Sequence, residues 1–337
     1  MPNTKEWTPQ ELLRTSGAYW ASAAIQAGVA LGVFSALGER PAAAADIAAA
    51  VKGDARGVGV LLDALTALGL AVKSQGRYAA TPFSERYLRE DSPEYLGHMI
   101  QHHHHLMESW ARLHEAVAAG RPVRSRSSHA GGEVREAFLM GMHNSAMLLA
   151  PQVTREVDLR GRRRLLDLGG GPGTYAANFC LANPGLAATV FDLPDTATTA
   201  ARIAARYGLE GRVSFAAGDF LEDDLGGPYD AVWLSHILHG EGPEECRRII
   251  RKAAAALEPG GVFLVHEFIL DDAKDGPVYP ALFSLNMLLG TPSGRSYAEC
   301  ELREMLEEAG IAGIRRLPMP PQAPSGILRG EKLRAAN

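Results

Sequence analysis

The chain has 337 residues, 46% of them hydrophobic and 22% charged, with a net charge of −5. Those totals suit a soluble globular protein with room for two domains, and they leave no broad basic field for nucleic acid or anionic lipid. Three cysteines far apart in sequence, Cys180, Cys246 and Cys300, suit free thiols in a reducing cytoplasm. The polar start MPNTKEWTPQ shows no signal peptide, and no apolar run reaches the ~18 residues of a membrane helix, so a cytoplasmic location is expected.

From Glu11 to Leu37 the pattern predicts an alanine-rich helix. Leu12, Leu13, Tyr19, Trp20, Ala23, Ala24 and Ala27 recur so that apolar residues occupy more than one face, which calls for a partner. A second copy of the chain is the expected one, making a homodimer. Pro41 to Pro82 then reads as helices over 45–51 and 55–68 and a hairpin turning at Gln75-Gly76. That order of elements is a winged helix. A DNA-binding role is disfavoured, because the second helix, ARGVGVLLDALTAL, offers Arg56 as its one base and also carries Asp63; the segment reads as a scaffold.

Residues 93–120 read as a helix ending at Gly120 and containing QHHHH. Adjacent helical residues point about 100° apart, so His102, His103, His104 and His105 cannot converge on one ion. Only i,i+4 pairs such as His98 and His102 share a face. The run therefore reads as a solvated or pocket-lining face, and no metal is expected. RPVRSRSSHAGG is loop-like, and Glu133 to Leu159 is helical again, as one helix or two.

Arg163 to Leu193, RRLLDLGGGPGTYAANFCLANPGLAATVFDL, has a different rhythm. It reads as a buried strand (165–168), a glycine turn, a helix (about 175–183) and a second buried strand (188–191) that ends on Asp192. Such a turn places backbone N–H groups at a helix N-terminus, and the acid on the next strand lies where ribose hydroxyls would be. This arrangement predicts a nucleoside-bearing cofactor. Gly169, Gly171 and Gly173 spell G-x-G-x-G, with Thr174 where the third glycine of the dinucleotide fingerprint would stand. Asp167, at the strand end, would repel a pyrophosphate but could accept hydrogen bonds from an ammonium. S-adenosylmethionine, which has an ammonium and a ribose and no phosphate, answers to this set; NAD and a purely structural turn are the alternatives.

The parallel-sheet rhythm continues with a helix over 195–207, a strand over 213–216, the turn Gly218-Asp219-Phe220 and a strand over 229–234. A loop with SHILHGEG, a helix over 243–257, a turn at Pro259-Gly260-Gly261 and a strand over 262–268 follow. A helix over 299–309 and the closing strand pair IRRLPMP and SGILRGEK complete the chain. This alternation predicts a doubly wound α/β sheet, whose ligands bind beyond the carboxyl ends of the strands. Asp167, Asp192, Asp219, His236, His239 and Glu267 all fall at or just past such ends.

LLDLGGGPGTYA, FDLP, GDFL, LSHILHGEGPEEC and LEPGGVFLVHEFIL resemble, in order, the motifs of the class I S-adenosylmethionine-dependent O-methyltransferases. The closer likeness is to the small-molecule branch of plant phenolic methyltransferases and bacterial natural-product tailoring enzymes. The resemblance implies a helical, winged-helix-like dimerisation domain over 1–155 and a Rossmann-like, seven-stranded methyltransferase domain over 156–337. By motif position, Asp167, Gly169 and Gly171 would face the methionine end of the cofactor. Asp192 and Leu193 would lie at the ribose, Gly218, Asp219 and Phe220 at the adenine, and Ser235 at a further contact. His239 matches the family's general base and Glu267 the carboxylate that orients it; His236 reads as a structural loop histidine. No metal is required, and S-adenosylhomocysteine would be the product.

Two positions depart from the family pattern. The base is commonly followed by Asp-Trp, here Gly240-Glu241, and a second flanking carboxylate is replaced by Ser296. Carbon or nitrogen acceptors, or a cofactor-bound activity without methyl transfer, therefore stand as alternatives to O-methylation, and a winged-helix metabolite-responsive regulator as a distant one. The acceptor pocket is expected to draw on Trp110, Phe138, Met142, Met147, Phe283 and Met287 for its apolar wall, and on His143 and Asn144 for polar contacts.

Overall fold

A computed structural model describes residues 6–38, 40–320 and 323–334. The chain forms two units, Met1–Met107 with Gly131–Asn144, and Glu108–Ala130 with Ser145–Asn337. The division is not a single break after residue 155, because two long helices each give their two ends to different units.

In the first unit the helix expected from Glu11 to Leu37 is three: α1 (Pro9–Ser16), α2 (Tyr19–Ala30) and α3 (Val33–Ala36). Gly17 ends the first, and Gly32, at φ +69, separates the other two in a left-handed conformation that suits glycine. Leu13 and Trp20 are 74% and 71% exposed, an apolar face that this chain does not cover. Next come β1 (Ala42–Ala43), α4 (Ala44–Ala50), α5 (Ala55–Ala67), β2 (Ala71–Ser74) and β3 (Arg77–Ala80). The hairpin turns at Gln75-Gly76 as expected, and the short β1, not foreseen, completes a sheet of order β1-β3-β2. Phe34, Ile47, Leu62 and Leu65 form its core. Asp63 of α5 accepts from the Lys73 ammonium (2.6 Å) and the Tyr78 hydroxyl (2.8 Å), so this acid ties helix to hairpin.

After α6 (Pro82–Tyr87), the helix read over 93–120 is broken at Arg112 into α7 (Gly97–Ala111) and α8 (Leu113–Ala119). α9 (Gly132–Glu156) is one helix, with Pro151 inside it. Among the described residues no helix is long and apolar enough to cross a membrane.

The second unit is built on β4 (Arg164–Leu168), α10 (Thr174–Ala182), β5 (Ala187–Asp192), α11 (Ala197–Arg206), β6 (Val213–Ala217), β7 (Tyr229–Ser235), α12 (Pro243–Ala256), β8 (Leu257–Glu267), α13 (Val278–Gly290), α14 (Glu299–Glu308), β9 (Ile311–Leu317) and β10 (Gly326–Lys332). The seven strands run β6-β5-β4-β7-β8-β10-β9, parallel from β6 to β8 and antiparallel at β10 and β9. Pro259 to Gly261 do not form a turn before β8. They lie inside the strand as a bulge, since Tyr229 pairs with Leu257 and Ala231 with Val262. Side chains alternate between faces. Leu165, Trp233 and Leu264 pack on one side with Phe179 of α10, and Leu166, Val232 and Phe263 on the other with Ile250 of α12. The parallel register brings the ends of β4, β5, β7 and β8 to one edge, and His239 and Glu267 belong to it.

Candidate active site

The glycine turn follows β4. Gly169, Gly171 and Gly173 all have positive φ, and the Gly169 N–H donates to the Phe191 carbonyl (2.8 Å). A Cβ on Gly169 would collide with the Ile237 side chain, whereas one on Gly171 would meet nothing, so the apex of the turn faces open space. Asp192, at the end of β5, accepts from the Gly171 N–H (2.7 Å) and the Leu193 N–H (2.7 Å), one to each oxygen. The Thr196 hydroxyl donates a third bond to Asp192, to Oδ1 (3.2 Å).

Asp167, expected to meet an ammonium, lies beneath the turn at 1% exposure. Its Oδ2 accepts from the Ala176 N–H (3.2 Å) in the first turn of α10, and a Cβ on Gly170 would come within 2.6 Å of its carboxyl carbon. Burial pushes its pKa up to about 7, the Ala176 bond opposing and the Asp192 charge adding. Gly218 donates its N–H to the Asp192 carbonyl (3.0 Å) and lies against Phe191, where a Cβ would be 2.5 Å from the ring. Asp219 is exposed and caps the Leu221 N–H (2.8 Å), while half-buried Phe220 packs on the sheet core.

Ser235 ends β7 with its hydroxyl 3.0 Å from His266 Nδ1, and His266 Nε2 lies 2.7 Å from the Ser325 hydroxyl. Burial lowers the His266 pKa far below the ordinary histidine value, so this bridging ring is neutral. His239 sits on a single 3₁₀ turn, Leu238–Gly240. Its Nδ1 is 2.8 Å from Glu267 Oε2, and its backbone N–H donates to Oε1 at 3.3 Å. Burial would raise the Glu267 pKa, but His239 and His236 overcome it and hold the carboxyl well below its usual range. The acid is thus an anion, placed to accept a hydrogen bond from Nδ1–H in the tautomer that leaves Nε2 unprotonated.

An aromatic wall surrounds His239. Phe283 of α13 meets the His239 ring edge-on at 4.8 Å, Phe268 stacks at 5.9 Å, and Tyr279 lies 5.0 Å from Phe268. His236, at φ +56, is held between His266 (4.4 Å) and Phe268 (4.3 Å), its Nδ1 3.8 Å from Glu267 and beyond hydrogen-bond reach. Among the described residues, His236, His239 and Glu267 form a group that could hold a metal ion, their ligating atoms within 4.8 Å of one another. The run at 102–105 is dispersed instead: His102 packs edge-on against Phe138 (5.4 Å), while His104 Nδ1 lies 3.4 Å from the Gln26 side-chain oxygen.

Residues 104–312 match the O-methyltransferase domain and residues 13–90 the O-methyltransferase dimerisation domain. The chain belongs to the O-methyltransferase family. It is an S-adenosylmethionine-dependent methyltransferase. It is 35% identical to the 3-hydroxy-5-methyl-1-naphthoate 3-O-methyltransferase of Streptomyces sahachiroi, over 93% of this chain and 92% of that one. It is 32% identical to the tetracenomycin polyketide synthesis 8-O-methyltransferase of Streptomyces glaucescens, over 93% and 94%. Human N-acetylserotonin methyltransferase, solved in complex with S-adenosylmethionine, superposes with a TM-score of 0.86 at 26% identity, over 99% and 100% of the two chains. The open glycine apex, with the Asp192 carboxylate beside it, fits that cofactor.

The two departures from the family pattern have local explanations in this methyltransferase. Glu241 is paired with Arg126, and Ser296 donates its hydroxyl to the Pro280 carbonyl (2.8 Å), leaving Glu267 as the carboxylate that holds His239. Of the acceptor-wall candidates, Phe283 stands against His239 and Met287 is buried further along α13, while Trp110 is half-buried at the end of α7. Met147 is drawn away: the Tyr207 hydroxyl of α11 donates to its sulfur (2.6 Å). Phe138, Met142, His143 and Asn144 belong to the other unit. There the Asn144 amide donates to the Tyr95 carbonyl (2.7 Å), pinning α9 to the start of α7, and His143 is buried. Phe268, Tyr279 and Arg126 were not foreseen. Phe268 directly follows Glu267 and was within reach of the motif; Arg126 left no signal in its polar loop.

Proposed function

We propose that this methyltransferase methylates a hydroxyl of a planar aromatic or polyketide-type small molecule, with His239 as general base and Glu267 as the group that orients it, and that it works as a homodimer. The observation that carries the reading is the 2.8 Å contact of His239 Nδ1 with a buried, ionised Glu267, at the same sheet edge as Asp192. A phenol, with pKa near ~10, is a weak nucleophile, and its anion a strong one; an imidazole with an ordinary pKa near ~6.5 accepts that proton at neutral pH. Glu267 keeps the ring in the tautomer whose Nε2 can do so. When bound, S-adenosylmethionine supplies a methyl group on a sulfonium, which needs no metal activation. The glycine turn and Asp192 hold the nucleoside, and the task left to the protein is to bring the acceptor oxygen into line.

Phe268, Phe283 and Tyr279 suit a flat acceptor, and the relatives named above act on a hydroxynaphthoate and in tetracenomycin polyketide synthesis. The uncovered Leu13 and Trp20, together with the dimerisation-domain match, support a second copy on α1 and α2. The test is methyl transfer from labelled S-adenosylmethionine to a panel of hydroxynaphthoates and polyketide phenols, with the product located by mass and NMR. His239→Ala should lower turnover roughly 10²- to 10⁴-fold with cofactor affinity little changed. Transfer to amine or carbon acceptors alone would replace the O-methylation reading, and unchanged turnover in His239→Ala would remove the base.

A further inference from the structure

The turn that presents His239 is held by a residue far away in sequence, and we propose that Arg126 is a positioning residue for the base. The inference rests on reading His239 as that base. The Arg126 guanidinium forks onto the Glu241 carboxylate, one nitrogen to Oε1 and the other to Oε2 (3.1 Å), and the second nitrogen also donates to the Gly240 carbonyl (2.7 Å). Glu241 is nearly buried, its side chain 9% exposed, so this pair is a desolvated one that only a planar fork satisfies fully. Gly240 closes the turn that carries His239, and Glu241 follows it directly.

The turn is gripped from its other sides as well. The Tyr297 hydroxyl donates to the Glu241 carbonyl (2.6 Å), and the Cys246 thiol to the Leu238 carbonyl (3.1 Å). Gly294 lies so close that a Cβ there would come within 2.5 Å of the His239 carbonyl oxygen. What Arg126 adds is a link to the aromatic wall. The N–H groups of Val123 and Arg124, just before it, both donate to the Leu289 carbonyl of α13 (3.1 and 3.2 Å), and the Arg124 guanidinium donates to the Asn286 side-chain oxygen (3.2 Å). Residues 123–126 are therefore a strap with one end on the helix that carries Phe283 and the other on the turn that carries His239. A strap of this kind fixes the distance between the acceptor wall and the basic nitrogen.

The experiment compares Arg126→Gln, Arg126→Lys, Glu241→Gln and the double variant Arg126→Gln/Glu241→Gln with His239→Ala in the full-length enzyme, using the best acceptor of the phenol panel. Arg126→Gln should lower kcat about 10- to 100-fold, the loss expected from a displacement near 1 Å. Cofactor Kd should stay within about twofold, because the strap's hydrogen bonds run to α13 and to the His239 turn. The acid limb of the kcat–pH profile should move to lower pH as the His239–Glu267 contact loosens. Arg126→Lys, which keeps the charge without the fork, should lie between. The double variant should exceed Arg126→Gln in kcat, because no unpaired buried carboxylate is left. An unchanged kcat and pH profile in Arg126→Gln beside an inactive His239→Ala would overturn the strap alone. Unaltered turnover in His239→Ala would overturn the base reading beneath it. If Arg126→Gln does not fold, Arg126→Lys decides: a kcat and pH profile equal to the parent's overturns the proposal, and a fall in kcat with an unmoved melting point supports it.

Discussion

Replacing Asp167 by Asn should change how stability depends on pH, and the size of the change follows from where the carboxyl lies. Burial beneath the glycine turn pushes its pKa up to about 7, against about 3.9 in an unfolded chain. The folded protein therefore keeps a proton that the unfolded chain gives up between those values, and stability falls as pH rises through that window. At about 1.36 kcal/mol per pKa unit, the linkage removes about 2 kcal/mol by pH 5 and about 4 kcal/mol by pH 7.5. Asn cannot titrate, and its oxygen can still accept the Ala176 N–H. The variant should thus gain roughly 2 to 3 kcal/mol on the parent between pH 5 and pH 7.5, a widening of about 3–4 °C in melting midpoint for a chain of this length. His236 and His266, whose pKa values burial lowers, act in the opposite sense, losing stability as pH falls below the ordinary histidine range. For that reason the quantity to follow is the gap between variant and parent, measured by calorimetry without cofactor across that range. A gap that stays constant would show Asp167 ionised at an ordinary pKa and refute the argument.

Asp192→Ala should weaken S-adenosylmethionine binding by about 10- to 100-fold, the worth of hydrogen bonds to a charged group; an unaltered Kd in a calorimetric titration would contradict the ribose assignment. Trp20→Glu should turn a dimer into a monomer in light scattering at micromolar concentration, and a parent that is itself monomeric there would reject the α1–α2 interface. Phe283→Ala should raise the acceptor KM roughly tenfold through lost apolar contact while cofactor Kd holds. Equal effects on both would place Phe283 in the general packing of the sheet edge instead of the acceptor wall.

The elements of this enzyme were legible in its sequence because they rest on local signals. Short apolar runs alternating with helical stretches marked β4 to β8, glycine marked the cofactor turn and Gln75-Gly76 the hairpin, and an acid at a strand end marked Asp192. Where a local signal was weak or divided, the reading slipped. Apolar residues all round 11–37 concealed the breaks at Gly17 and Gly32, and Pro259 to Gly261 resembled a turn although they bulge within β8. Periodicity could not show that Asp167 would be buried under its own turn, because that depends on how α10 closes over β4. The site itself is a tertiary product. His239 and Glu267 meet across 28 positions because β7 and β8 run parallel and end together. Arg126 and Glu241 meet across 115, because a loop with no pattern of its own happens to pass the His239 turn. A strand or helix is chosen by interactions among near neighbours, which one chain spells out in order. A catalytic contact is chosen by which distant ends the packed sheet brings to one edge, and only the folded chain decides that.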